Sequence, residues 1–81
     1  MSTRKVSIGQ IKAGRALLEW SQDQLAAASG VSQPTIKRLE AEGGNLGGRI
    51  NTREKICGAL ERAGIEFTNG DAPGVRLRKR K

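Results

Sequence analysis

The sequence predicts a mainly α fold: a compact four-helix domain closed by a short C-terminal β-hairpin. Three observations predict it. Serine-led helix starts recur along the chain, and one of them, Ser21, has a partner three residues on and a glycine stop behind. Apolar residues recur at helical spacing as far as Ala63. After Gly64 the period changes to two, which is strand spacing.

The chain in order justifies each element. Residues 1–6 are polar and basic and are expected to be loose. Ser7 is a cap for a first helix running to about Trp20. Ile8, Ile11, Arg15 and Leu18 fall along one face, and Leu17 widens it. Gly9 and Gly14 weaken this helix, and Gly14 allows close approach by a neighbour. Trp20 is the sole tryptophan and is expected to anchor the core between this helix and the next.

Ser21 and Gln24 form a capping box: the hydroxyl accepts a first-turn N–H and the amide reaches back to the cap. Leu25, Ala26 and Ser29 share a face of the second helix. Gly30 ends it, since glycine takes the left-handed conformation without a Cβ penalty. Val31 plugs the corner and Ser32 is the next cap candidate. Pro34 sits in the first turn, where a missing N–H costs little. It also disfavours helical backbone at the residue before it. The third helix therefore starts at Gln33 or at Pro34, which makes Gln33 a surface reader or a cap. Ile36 and Leu39 point inward, and the helix runs to about Glu42.

Gly43–Gly48, GGNLGG, is a connector. It lacks the lysine and hydroxyl of a phosphate-cradling loop. Asn51 with Glu54, or Thr52, is the expected cap of a fourth helix with Ile56, Ala59, Leu60 and Ala63 on its apolar face; Gly64 stops it. Ile65–Thr68 and Val75–Arg78 each alternate apolar and polar, with the turn-rich NGDAPG between them. An antiparallel hairpin places Ile65, Phe67, Val75 and Leu77 on one face. That face needs a cover, from the helices or from a partner chain, because an isolated hairpin is marginal.

Composition narrows the function. Eighty-one residues make one small domain. Fifteen Lys and Arg against eight acidic residues give a formal charge of +7, which suggests a polyanionic partner. Five of the basic residues lie in the final RLRKRK, so part of the excess is a tail. One cysteine and no histidine leave too few ligands for a metal. Cys57 lies at core spacing without a base to activate it. No catalytic constellation is present, so an enzyme is not expected, nor any cofactor. No apolar run suits a membrane span or a signal peptide, and a cytoplasmic location is expected.

Over Ile11–Glu40, IKAGRALLEWSQDQLAAASGVSQPTIKRLE, the sequence resembles the phage-repressor-like helix-turn-helix family, also called xenobiotic-response-element (XRE) or Cro-like. Trp20, Gln22, Leu25-Ala26, Gly30-Val31, Ile36 and Leu39-Glu40 carry the resemblance, and Thr52–Ala63 fits the family's fourth helix. Many members continue with a fifth helix where this chain has its strand-like segments. The resemblance implies duplex DNA as partner, with the third helix entering the major groove by its first turn. Gln33, Thr35, Lys37 and Arg38 would then touch bases. Gln22, Ser32, Arg49 and Arg53 would hold phosphates, with capping as the other reading of Ser32. Arg15 and Glu40 would form a structural salt bridge. The expected organisation is a helix-turn-helix domain over residues 7–64, a hairpin over 65–78 and a basic tail over 79–81. The hairpin face of Ile65, Phe67, Val75 and Leu77 is the expected interface of a homodimer. Two functions follow: a sequence-specific transcriptional regulator, most simply a repressor, or an antitoxin-like module that binds a protein partner with the same fold.

Overall fold

In the computed structural model, which describes residues 6–44, 50–68 and 73–78, the chain folds as four helices and one antiparallel hairpin. The helices are α1 (Ile8–Leu18), α2 (Gln22–Ser29), α3 (Gln33–Glu42) and α4 (Ile50–Arg62). The strands β1 (Ile65–Thr68) and β2 (Gly74–Leu77) pair in the register Ile65 with Leu77 and Phe67 with Val75. The core is one cluster drawn from the four helices and β1: Ile8, Ile11, Leu25, Ile36, Ile56, Cys57, Leu60 and Ile65 are its fully buried side chains. Each buried Ile or Leu contributes about 1.5–3 kcal/mol of transfer free energy.

Local chemistry accounts for the helix ends. Ser7 and Gln10 close a capping box at α1, and Ser21 and Gln24 close another at α2. Each satisfies backbone donors that a helix start leaves orphaned. Gly30, at φ 78°, ends α2 and donates its N–H to the Ala26 carbonyl. The same amide-to-carbonyl closure occurs at Gly43.

Several sequence expectations are corrected. α1 stops at Leu18, not near Trp20, because Glu19 turns left-handed (φ 58°) and Trp20 N–H closes back on the Arg15 carbonyl. Trp20 packs on the core from the loop and is only partly buried. Leu17 does not widen the buried face: it is 44% exposed. Val6 is buried in the core, so the segment expected to be loose is tied down at its last residue. α4 starts at Ile50, which puts Asn51 and Thr52 inside the helix rather than at its cap. The rest of the glycine-rich connector, 45–48, lies outside the described residues, as do Arg49, the start of the hairpin turn and the basic tail.

The hairpin is covered mainly by the chain's own helices. Ile65 is 2% exposed and belongs to the core, with Phe67 and Val75 packed against it. Ile65 is therefore not part of any free surface for a partner, whereas Leu77 is 41% exposed. Gln10 supplies an anchor that sequence periodicity missed. It is 5% exposed, and its Nε2 donates to the carbonyls of both Thr68 and Gly74 at 2.9 Å, clamping the turn end of the hairpin to α1.

Gly14 lies against the open end of the same hairpin. A Cβ built there meets Ile65 Cγ2 and Leu60 Cδ1 at 3.5 Å, which is ordinary contact. Close approach therefore does not demand glycine. Gly14→Ala is expected to stabilise the domain by up to about 1 kcal/mol through helix propensity. Thermal unfolding of the pair of proteins checks it; a lowered Tm would show that the packing has no room for a methyl.

Candidate nucleic-acid interface

The α2–turn–α3 unit is shaped by small and left-handed residues. Gly30 reverses the chain, and Ser29 Oγ accepts from Val31 N–H, fixing the turn so that Val31 drops into the core. α3 starts at Gln33, with Ser32 as its cap residue in extended conformation and Pro34 in the first turn. Of the two starts open from sequence, Gln33 is thus the first helical residue. Ser32 makes no side-chain cap bond; its hydroxyl instead donates to Thr35 Oγ1 at 2.9 Å.

α3 buries Ile36, Leu39 and Glu40 and turns Pro34, Lys37, Arg38, Ala41 and Glu42 outward. Gln33 and Thr35 sit half-buried at the margins of that outward face. Arg38 pairs loosely with Glu42, 3.9 Å away and one turn on. An exposed pair of this kind is worth little, so the guanidinium is free to leave it.

Behind the outward face lies a polar chain linking three helices. Arg15 from α1 grips Glu40 from α3 with two parallel bonds, Nε to Oε2 at 2.8 Å and Nη2 to Oε1 at 2.7 Å. Its Nη1 donates to the Trp20 carbonyl. Gln22 of α2 donates through Nε2 to Glu40 Oε1 at 2.9 Å, and Gln22 Oε1 in turn accepts from Gln33 Nε2 at 3.2 Å. Burial pushes the Glu40 carboxyl up, but the Arg15 and Gln22 hydrogen bonds and the nearby charges of Arg15 and Lys12 outweigh it. The net result holds the carboxyl below its ordinary value. Glu40 is therefore a carboxylate at neutral pH and a fixed acceptor for both neighbours.

The consequence is positional. Gln22, read from sequence as a free phosphate donor, is engaged at both ends of its amide. It orients Gln33, with one Nε2 hydrogen left over. The spacing of α2 and α3 residues gave no sign of this link, because it depends on how the helices cross. Arg53 sits half-buried at the end of the first turn of α4, and its Nε is enclosed with no hydrogen-bond partner among the described residues. Among the described residues no group of His, Cys, Asp or Glu is placed to hold a metal, and no helix is long and apolar enough to cross a membrane.

Two helices joined by a left-handed glycine turn, the second with a polar first turn presented to solvent and its base locked to the first, define a helix-turn-helix. Residues 11–49 match the helix-turn-helix family model, the XRE, Cro-like family that the sequence resembles. No curated protein matches the chain. The match indicates a DNA-binding regulator of the helix-turn-helix type.

Proposed function

We propose that the protein is a sequence-specific repressor of transcription that binds duplex DNA as a homodimer in the cytoplasm. The observation that carries this reading is the placement of Gln33. It opens α3, faces outward at the margin, and is held by Gln22, itself fixed by the Arg15–Glu40 pair. A side-chain amide held in one orientation can offer donor and acceptor together to adenine N7 and N6. Lys37 and Arg38, exposed on the same helix, suit guanine N7 and O6, and Thr35 suits a thymine methyl. Gln22, Ser32, Arg49 and Arg53 are assigned to phosphates.

A domain this size reads few base pairs, so pairing two copies lengthens the site and predicts a two-fold operator. Repression follows from occupancy of the operator alone and needs no second functional surface. Selection of bound sites from a random duplex pool at fixed salt tests the reading. It should return a motif with two inverted half-sites; recovery of unenriched DNA would overturn it.

Two variants separate reading from holding. Arg38→Ala is expected to relax base preference at one position per half-site by about 1–3 kcal/mol. Deleting 79–81 is expected to weaken all DNA evenly and lower the slope of log K against log salt by about 3 units at most. Titrations against specific and scrambled duplexes across salt concentration check both. Equal weakening of all sequences by Arg38→Ala would remove that residue from the reading set.

A further inference from the structure

We infer that Ser32 is a positioning residue and Thr35 a thymine reader: Ser32 holds the Thr35 side chain in one rotamer, from which its hydroxyl donates to thymine O4 and its methyl rests on the C5 methyl. This rests on the DNA-reading role of α3 proposed above and changes the part that Ser32 plays in it.

The sequence sets up the pair. α1, α2 and α3 each start behind a serine, Ser7, Ser21 and Ser32. At α1 and α2 the third helical residue is a glutamine, Gln10 or Gln24. Its amide reaches back to the cap N–H while the serine hydroxyl accepts from the backbone. At α3 that box cannot close. Pro34, the second residue, has no N–H to give. Thr35, the third, lacks the long amide that reaches back to a cap. Ser32 makes no side-chain cap bond and gives its hydrogen to Thr35 Oγ1 instead, at 2.9 Å.

A hydroxyl has one hydrogen and two lone pairs. Ser32 has committed its hydrogen, so it has none for a phosphate oxygen unless it lets Thr35 go. Thr35 has committed one lone pair and keeps its own hydrogen to donate. A helical threonine otherwise divides between two χ1 rotamers; the bond to Ser32 selects one and fixes hydroxyl and methyl together. In water such a bond is worth little. In a groove that excludes water each hydroxyl hydrogen needs an acceptor, and the relay decides which bases supply one.

Thymine fits. In the major groove it presents an acceptor and a methyl, O4 and the C5 methyl, where cytosine presents a donor amine and no methyl. A free threonine hydroxyl turns to serve either base. One that already accepts from Ser32 favours the acceptor. Thr35 is half-buried at the margin of the outward face, with Ser32 and Pro34 exposed beside it, so the pair travels with the first turn of α3.

Competition binding on the selected duplex tests both residues, with each thymine of a half-site replaced in turn. Uracil deletes the methyl and keeps O4. 5-Methylcytosine opposite guanine keeps the methyl and turns the acceptor into a donor. Wild type should show one thymine per half-site at which uracil costs about four-fold, the worth of one apolar carbon, and 5-methylcytosine about five-fold or more. There Thr35→Ser should lose the uracil effect and keep the other; Thr35→Val should do the reverse. Ser32→Ala should keep the wild-type unfolding curve, since the hydroxyl makes no cap bond. It should accept 5-methylcytosine nearly as well as thymine at that position alone, and Ser32→Thr should restore the discrimination. The base analogues act on the wild-type protein, so no variant's folding decides the outcome alone. If Ser32→Ala weakens every duplex evenly and leaves that discrimination intact, Ser32 is a phosphate contact and the positioning role is overturned. A wild-type profile in which no thymine responds to either analogue overturns the inference and leaves the DNA reading standing through Gln33, Lys37 and Arg38. A random pool that returns no motif removes that reading and the inference with it.

Discussion

Glu40→Ala is expected to destabilise the domain by about 3–5 kcal/mol, the range for removing one partner of a buried ion pair. Against a total of about 5–15 kcal/mol for a small domain, that leaves it close to unfolding. The cost follows from what remains behind. Glu40 is 6% exposed and answers three donors at once, Arg15 Nε, Arg15 Nη2 and Gln22 Nε2. Alanine strands the guanidinium between α1 and α3 and releases the Gln22 amide. The paired change Arg15→Met with Glu40→Leu removes both charges and is expected to cost less than Glu40→Ala alone. Urea unfolding at pH 7 measures Glu40→Ala, the double variant and its two singles, Arg15→Met and Glu40→Leu; a double variant whose loss equals the sum of those singles would mean that the pair is not coupled. The acid limb gives a second readout. The folded-state pKa of Glu40 lies below its ordinary value of 4.5. Its contribution is thus full above about pH 4.5 and is lost as pH falls through the lower, folded value. The stability gap between wild type and Glu40→Gln should therefore narrow below pH 4.5; a gap that widens on acidification would contradict the assignment.

What could be read from sequence and what could not divides by range of interaction. Ser21 with Gln24, Gly30 and Gly64 act on their own backbone, so their roles are visible in a few consecutive letters. The alternation of Ile65–Thr68 and of Val75–Leu77 likewise announces strands. Glu19 gives no such signal: a left-handed glutamate is held by the loop that Trp20 closes, not by its own preference. Leu17 looks like a core residue because helical periodicity cannot say where the hairpin will lie, and the hairpin lies over Gln10 and Gly14 instead. Gln10 is polar and reads as surface until the two carbonyls it serves arrive from 58 and 64 residues away. The site divides in the same way. The outward positions of Lys37 and Arg38 follow from the burial of Ile36 and Leu39 on the same helix. The union of Gln22 with Gln33 depends on the crossing of α2 and α3, which no spacing within either helix encodes.

That union makes the second large expectation a paired one. Gln33→Ala is expected to remove discrimination at one base pair per half-site, about 1–3 kcal/mol each and so about 5- to 150-fold for each half-site. Stability should change little, because Gln33 is half-buried at the edge of α3 and contributes one 3.2 Å bond. Gln22→Ala tests whether orientation matters apart from contact. It leaves Gln33 in place but frees its amide to rotate, so preference at the same base pair should fall while preference at the positions read by Lys37 and Arg38 holds. Competition between the selected duplex and single-base variants measures each change, with unfolding curves recorded alongside. If Gln22→Ala lowers affinity for every duplex equally, Gln22 acts through phosphate alone and the orienting link carries no specificity. If Gln33→Ala leaves the base profile untouched, α3 does not read through its first turn, and the reading surface shifts to the outward pair one turn on, Lys37 and Arg38.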